Sequence, residues 1–319
     1  MSKVVSDANI FENEDTDFSE NEFCRVKATE SEVLFKESKS LCNSIFDSIK
    51  CNKLAILSLI IIGVIILASV LAPLSPWDPD AVDVLNKFQK PSKEHIFGTD
   101  SFGRDYFTRA LYGGRVSLQV GIFSMIVSMI LGTLYGTISG YIGGIIDVLM
   151  MRFVDIFMSI PSFLLIVIIS AFITPGVTTM IFIIGIFSWM GVARIVRAET
   201  MSLKERDFVL VSKGLGSSHF SIIIRHIIPN LMPSIIVSAS ISIARSILTE
   251  SSLSYLGFGV QLPKSSWGSM LQSAQSLSLH LPYLALFPGV LILITVMSFN
   301  VLGDFLRDVL DSKGKNRSL

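Results

Sequence analysis

Ionisable side chains set inside long apolar runs are the residues through which this sequence could do more than fold. Arg245 and Glu250 stand in one such run, about residues 231–257, and Asp147, Arg152 and Asp155 near the start of another. A charge in hydrocarbon is costly enough that it is kept where it meets a partner or a watery path. Arg245 and Glu250 are five apart, about 140° round a helix at roughly 100° per residue, so they do not simply pair with each other. Each is a candidate for lining a translocation path, against a structural partner near the membrane surface. Arg152 and Asp155, three apart on one face, read as a local ion pair that fixes their helix at the interface.

Bond-making chemistry lacks an instrument here. His95, His219, His226 and His280 are scattered, and no nucleophile, base or metal set occurs at usable spacing. No G-x-x-x-x-G-K-[ST] phosphate loop is present, so ATP hydrolysis belongs to another polypeptide. The expectation is no catalytic residue, no metal and no cofactor. Cys24, Cys42 and Cys51 all precede the first apolar run and read as free, reduced thiols.

The elements that must position these residues follow from composition. Half of the 319 residues are hydrophobic and 16% are charged, with a mean hydropathy of +0.62, too apolar for a soluble surface. A bilayer core about 30 Å thick needs roughly 20 mostly apolar helical residues. Such runs cover 54–72, 116–138, 177–193, 231–257 and 281–303. A further helix follows a short turn at 140–144, its uncharged part at 156–173, with Pro161 placed to kink it. The chain is therefore expected to be an all-α membrane protein with six transmembrane helices. Residues 1–50 form an acidic, polar tail, with an amphipathic stretch near 46–53 suited to the membrane surface. Residues 51–112 hold the first span and a long polar loop, 113–304 the other five spans, and 305–319 a charged tail. A formal net charge of zero gives no reason to expect nucleic acid.

Six spans put both termini on one face, and Lys and Arg favour the cytoplasm. That face carries Arg194, Arg197, Lys204, Arg206, Lys213 and Arg225 between the fourth and fifth spans, and Arg307, Lys313, Lys315 and Arg317 at the end. Lys87, Lys90, Lys93, Arg104, Arg109 and Arg115 in the long first loop dissent. Between 197 and 230 lie two helical patterns that belong to no span. Phe208, Val211 and Leu215 mark one stripe, and Phe220, Ile223, Ile224 and Ile227 the other. The expectation is a helix–turn–helix with its apolar side on the bundle and its polar side toward a partner.

The stretch from Arg206 and Asp207 through Lys213 to Gly216, then Arg225-His226-Ile227-Ile228-Pro229-Asn230, resembles the cytoplasmic coupling loop of binding-protein-dependent ABC importer permeases. Gly216 takes the family's glycine and Pro229 its closing proline; Leu210 stands where an acidic residue is usual. Gly98-Thr-Asp-Ser-Phe-Gly-Arg-Asp105, Gly140-Tyr-Ile-Gly-Gly144, Ser159-Ile-Pro161 and Leu248-Thr-Glu-Ser-Ser-Leu-Ser-Tyr-Leu-Gly-Phe-Gly259 are similar to the C-type permeases of oligopeptide, dipeptide and nickel importers. The resemblance spans about residues 54–310. It implies a type I ABC importer permease fold with cytoplasmic coupling helices, residues 113–304 being the type-1 domain, in the cytoplasmic membrane of a prokaryote with both termini cytosolic. It also implies the partners: a second permease subunit, two cytosolic ATPase subunits, an extracytoplasmic substrate-binding protein and membrane lipid.

On this resemblance Arg206, Asp207, Lys213, Gly216, His219, Arg225, His226, Pro229 and Asn230 belong to the ATPase-coupling loop. Asp100, Arg104 and Asp105 are candidates to dock the binding protein, with holding the long loop together as the alternative. The cargo implied is a peptide, with nickel complexes or another small solute as the alternative within the family. A stand-alone ion-coupled carrier is the alternative of another class, and it lacks the repeated halves such carriers show.

Overall fold

The computed structural model describes residues 48–50 and 52–316, with side chains to Leu310. Residues 1–47 of the acidic tail and all three cysteines lie outside the described residues, as do residues 46, 47 and 51 of the amphipathic stretch near 46–53. Among the described residues the chain is helical, and the only bridge is the isolated pair Thr99–Asp105.

Helix α1 runs Lys53–Val70, its first turn capped by the Asn52 side chain, which accepts from Leu54 N and Ala55 N. Helix α2, Tyr106–Ile142, starts ten residues before the expected span because Asp105 caps it, accepting from Thr108 N at 2.7 Å. At 37 residues it is about 55 Å long, more than a bilayer core. The turn expected at 140–144 contracts to Gly143 and Gly144, both at positive φ. Helices α3 (Gly144–Met158) and α4 (Ser162–Phe172) replace the kinked third span and meet at 73°. Pro161 supplies no N–H and takes a non-helical backbone (ψ 116°) just before α4, so the break falls there.

Helix α5 (Val177–Lys204) is followed by α6 (Asp207–Gly214), α7 (His219–Ile222), a π turn (Ile223–Ile227) and α8 (Ile228–Tyr255). After the short α9 (Trp267–Ala274), α10 (Tyr283–Asn316) carries the sixth span on through residues expected to be a tail. Among the described residues five helices are long and apolar enough to cross a membrane, and the bent α3–α4 pair, counted as one span, gives six.

The tightest packing joins α2 to α5, and glycines make it so. Gly132, Gly136 and Gly140 recur every four residues, one per turn, on one face of α2. A Cβ on Gly132 would sit 2.6 Å from Val192 Cβ, and one on Gly140 2.7 Å from the Arg197 carbonyl oxygen. Without a hydrophobic force between helices in lipid, such close backbone approach is what drives association. Helix α8 packs on α2, α5, α9 and α10, and α1 lies against α2 and α10. Chain direction alternates through these spans, so the α6–α7 elbow lies at one end of the bundle and the polar loop of residues 71–105 at the other.

Candidate functional site

The elbow is built from local signals. Asp207 in the first turn of α6 and Lys213 in its last complement the helix dipole. The helix ends in a Schellman motif: Gly216 N donates to Lys213 O at 3.1 Å and Ser217 N to Ser212 O at 3.2 Å, with Gly216 at φ +79°. Ser218 then caps α7. Pro229, with no N–H, opens α8, and the turn before it widens to π spacing, with Ile228 N bonding to Ile223 O. Asn230 Nδ2 donates to His226 O at 2.6 Å in the same turn.

Few residues hold the elbow to the bundle. Val209 of α6 and Ile222 and Ile227 at the two ends of the π turn are buried with Leu203, Val192 and Val196 of α5, Met129 of α2 and Leu231 of α8. The Tyr141 hydroxyl meets His219 Nδ1 at 2.9 Å, with the rings edge to face.

The first expected stripe does not face the bundle, and the second does so only through Ile227, which is buried, and Ile223, which packs against the same core. Phe208, Val211 and Leu215 are all exposed, Leu215 at 82%, because α6 turns Val209 and Ser212 inward instead. On the second half Phe220 is 73% exposed and Ile224 is also exposed. Ile222 and Ile227 are fully buried, five residues apart, since the π turn moves the inward face by one residue. The elbow therefore leaves Leu210, Val211, Leu215, Phe220 and Ile224 exposed, together with Arg206, Asp207, Lys213 and Arg225. Exposed apolar side chains among charged ones are what a protein interface presents. Period-based reading assigned the side of the first stripe wrongly and split the second; no spacing rule marks a π turn beforehand.

Ion pairs fix the surroundings. Arg197 of α5 grips Asp147 of α3 with both Nε and an Nη, each at 2.5 Å, and Ser139 Oγ donates to the same carboxylate at 2.5 Å. Asp155 takes Arg194 of α5 at 2.5 Å, while Arg152 stays 3.9 Å away. The local pair expected from spacing is present, and Asp155 has in addition a closer partner on another helix.

At the opposite end, Asp100, Arg104 and Asp105 are all less than a tenth exposed. Arg104 Nε donates to Asp100 at 2.8 Å, Asp105 contacts His95 Nδ1 at 2.8 Å while capping α2, and Arg109 reaches Asp80 at 3.3 Å. These contacts give the three residues a positioning role within the loop. Phe97 stacks on Phe287 at 3.9 Å, tying the loop to α10.

Glu250 has no exposed surface. It accepts from Ser117 of α2 at 3.0 Å and from Ser254 at 2.7 Å, while Ser117 Oγ also accepts from Trp267 N at 3.3 Å. Trp267 Nε1 donates to Ala110 O at 2.9 Å. The carboxylate thus ties α8 to α2 beneath the docked α9, away from any open face. Arg245 lies on a different side of α8 and is exposed.

Comparison with known proteins meets this geometry. The family model for the binding-protein-dependent transport system inner membrane component matches residues 132–315, from mid-α2 through the elbow to the end of α10. The chain belongs to that permease family. Residues 40–91 of the permease match the N-terminal TM domain of oligopeptide transport permease C, which places it in the C-type branch. It is 39% identical over 289 residues to the oligopeptide transport system permease protein OppC of Bacillus subtilis, covering 90% of this chain and 95% of that one. It is 42% identical over 272 residues to the dipeptide transport system permease protein DppC of Alkalihalophilus pseudofirmus, covering 85% and 90%. It is also 42% identical over 288 residues to OppC of Escherichia coli K12, covering 89% and 95%.

Proposed function

We propose that this permease supplies half the pore of an ATP-binding-cassette importer that moves oligopeptides or dipeptides into a prokaryotic cell. A second permease subunit completes the pore, two cytosolic ATPases drive it, and an extracytoplasmic binding protein delivers cargo. The observation that carries this reading is the elbow. A lone bundle has no reason to present Leu215 and Phe220 to water on its elbow; a partner seated there would bury both. The peptide cargo is inferred from what the relatives are named for.

The elbow end faces the cytosol in this reading, with Lys204, Arg206, Lys213 and Arg225 exposed or half-exposed there. The dissent of the long loop weakens once Arg104 is seen paired with Asp100 and Arg109 with Asp80. ATP acts by favouring one arrangement of the ATPase pair, and the elbow passes on that preference as a shift between inward-open and outward-open states.

A cysteine at Leu215 in the assembled complex tests this directly. A short thiol cross-linker should capture an ATPase subunit, and the yield should change with nucleotide. Failure to capture an ATPase in any nucleotide state, from complex that still transports, refutes the coupling role.

A further inference from the structure

Arg245 is a full cation that the interactions described so far do not employ. It is exposed, and its guanidinium makes no hydrogen bond or ion pair among the described residues. It follows Ile228 by 17 residues and precedes Tyr255 by ten, so it lies roughly 26 Å from the elbow end of α8 and about 15 Å from the other. It thus lies inside the span rather than at either end of α8, and a cation that faces acyl chains there is costly. The side of α8 that carries it therefore faces water or an anion.

Its neighbours on that side include polar residues among apolar ones such as the exposed Leu248. Ser238, Thr249 and Ser252 lie seven before, four after and seven after Arg245, and none is buried. One turn beyond, α8, α9 and α10 frame a groove of about 440 Å³, walled by Leu248, Ser252, Tyr255, Leu271 and Ile292. The groove is largely apolar and has no charge of its own, so the nearest charged group along α8 with an exposed side chain is Arg245.

The geometry points to Arg245 as a carboxylate-binding residue of the translocation face, which holds the C-terminal carboxylate of a peptide while its side chains lie along the groove. This rests on the peptide-importer reading above. A guanidinium offers a carboxylate two parallel donors, which a lysine ammonium cannot reproduce. The contact is specific to an anionic end and indifferent to peptide sequence. An acidic side chain of the second permease subunit is the competing occupant.

The full complex, reconstituted in proteoliposomes, separates these. Initial uptake is measured for a tripeptide with a free C-terminal carboxylate and for the same tripeptide amidated, both at saturating binding protein. Arg245→Gln should lower uptake of the acid form about tenfold or more relative to the amide, the scale of a charge-assisted hydrogen bond, and Arg245→Lys should fall between. Equal loss for both forms is what pairing with the second subunit gives, and it overturns the assignment; so does no loss for either. If the wild-type complex accumulates neither peptide, the importer reading itself fails and takes the assignment with it.

Arg245→Cys, in a chain whose Cys24, Cys42 and Cys51 are serine, gives a readout independent of rate. A small anionic thiol reagent should label it, and trapped peptide should slow that labelling. A cysteine there that stays unreactive in every nucleotide state refutes an aqueous face.

Discussion

Phe220→Ala and Ile222→Ala, two residues apart on α7, should fail in opposite ways. Ile222 is fully buried under the elbow, whereas Phe220 is 73% exposed. Truncating a buried isoleucine costs about 2–5 kcal/mol, since lost contacts add to a cavity. Ile222→Ala should therefore lower the melting temperature of the purified permease and make the Gly216–Ser218 turn easier to cleave. Phe220→Ala removes little that the permease itself uses. Fully burying a phenylalanine is worth about 1.5–3 kcal/mol, and roughly three quarters of that surface is still open. Docking an ATPase over it should then contribute about 1–2 kcal/mol, or roughly 5- to 30-fold in affinity at about 1.4 kcal/mol per tenfold. Titrating fluorescent ATPase subunit into permease heterodimer measures that factor, and thermal unfolding in detergent measures the other. ATPase affinity unchanged by Phe220→Ala, or a loss of stability as large as that from Ile222→Ala, would refute the assignment of faces on the elbow.

Other perturbations follow from single contacts. Arg197→Gln leaves the Asp147 carboxylate with only Ser139 and should destabilise by about 3 kcal/mol; adding Asp147→Asn should restore much of it in the same unfolding assay. Gly136→Val should prevent α2 from closing on α5 and abolish folded protein on size exclusion, whereas Gly63→Ala on α1, with open space around it, should be silent. Gly216→Ala forces a side chain into the left-handed region and should cost about 1–2 kcal/mol, read as earlier melting with ATPase binding weakened. Glu250→Leu strands the Ser117 and Ser254 hydroxyls and should lower the melting temperature, while Glu250→Gln, still an acceptor, should hold close to wild type.

The spans were legible because a bilayer imposes a length that little else in a sequence satisfies, and charge-free runs end where water begins. Their ends were less so. Helix α2 begins at Tyr106 because of one aspartate cap, and apolar run length cannot register a cap in a polar loop. Pro161 announced a bend, yet 73° of it depends on how α3 is held by Arg197 and Arg194 on α5, partners 50 and 39 residues from Asp147 and Asp155 in sequence. Likewise Gly216 and Pro229 marked the elbow, but the first apolar stripe turned outward and only Ile223 and Ile227 of the second turned inward. Eight residues of α6 have too few turns for periodicity to choose a side, and what chooses is Val209 fitting between α5 and α7. The Glu250 cluster was hidden for a simpler reason: serines are common in this chain, and only the fold brings Ser117 beside Ser254.

Helix α8 joins these observations into one mechanical unit. It begins at Ile228, directly after the π turn of the elbow, passes Arg245 inside the span, and reaches Glu250 where α2 and α9 lock it. From Ile228 to Tyr255 it is unbroken, so a displacement at its elbow end must be taken up by the whole rod or at the two places where its backbone ladder is weakened, the π turn and Pro233. The Glu250 cluster restrains the far end through hydrogen bonds to α2 and α9. A push on the elbow therefore tilts α8 about that far anchor more readily than it slides it, and tilt moves the face carrying Arg245 sideways while leaving α9 in place. On the importer reading, that is how a cation inside the span could be offered to cargo in one state and withdrawn in the other, with no charge moving along the pore axis.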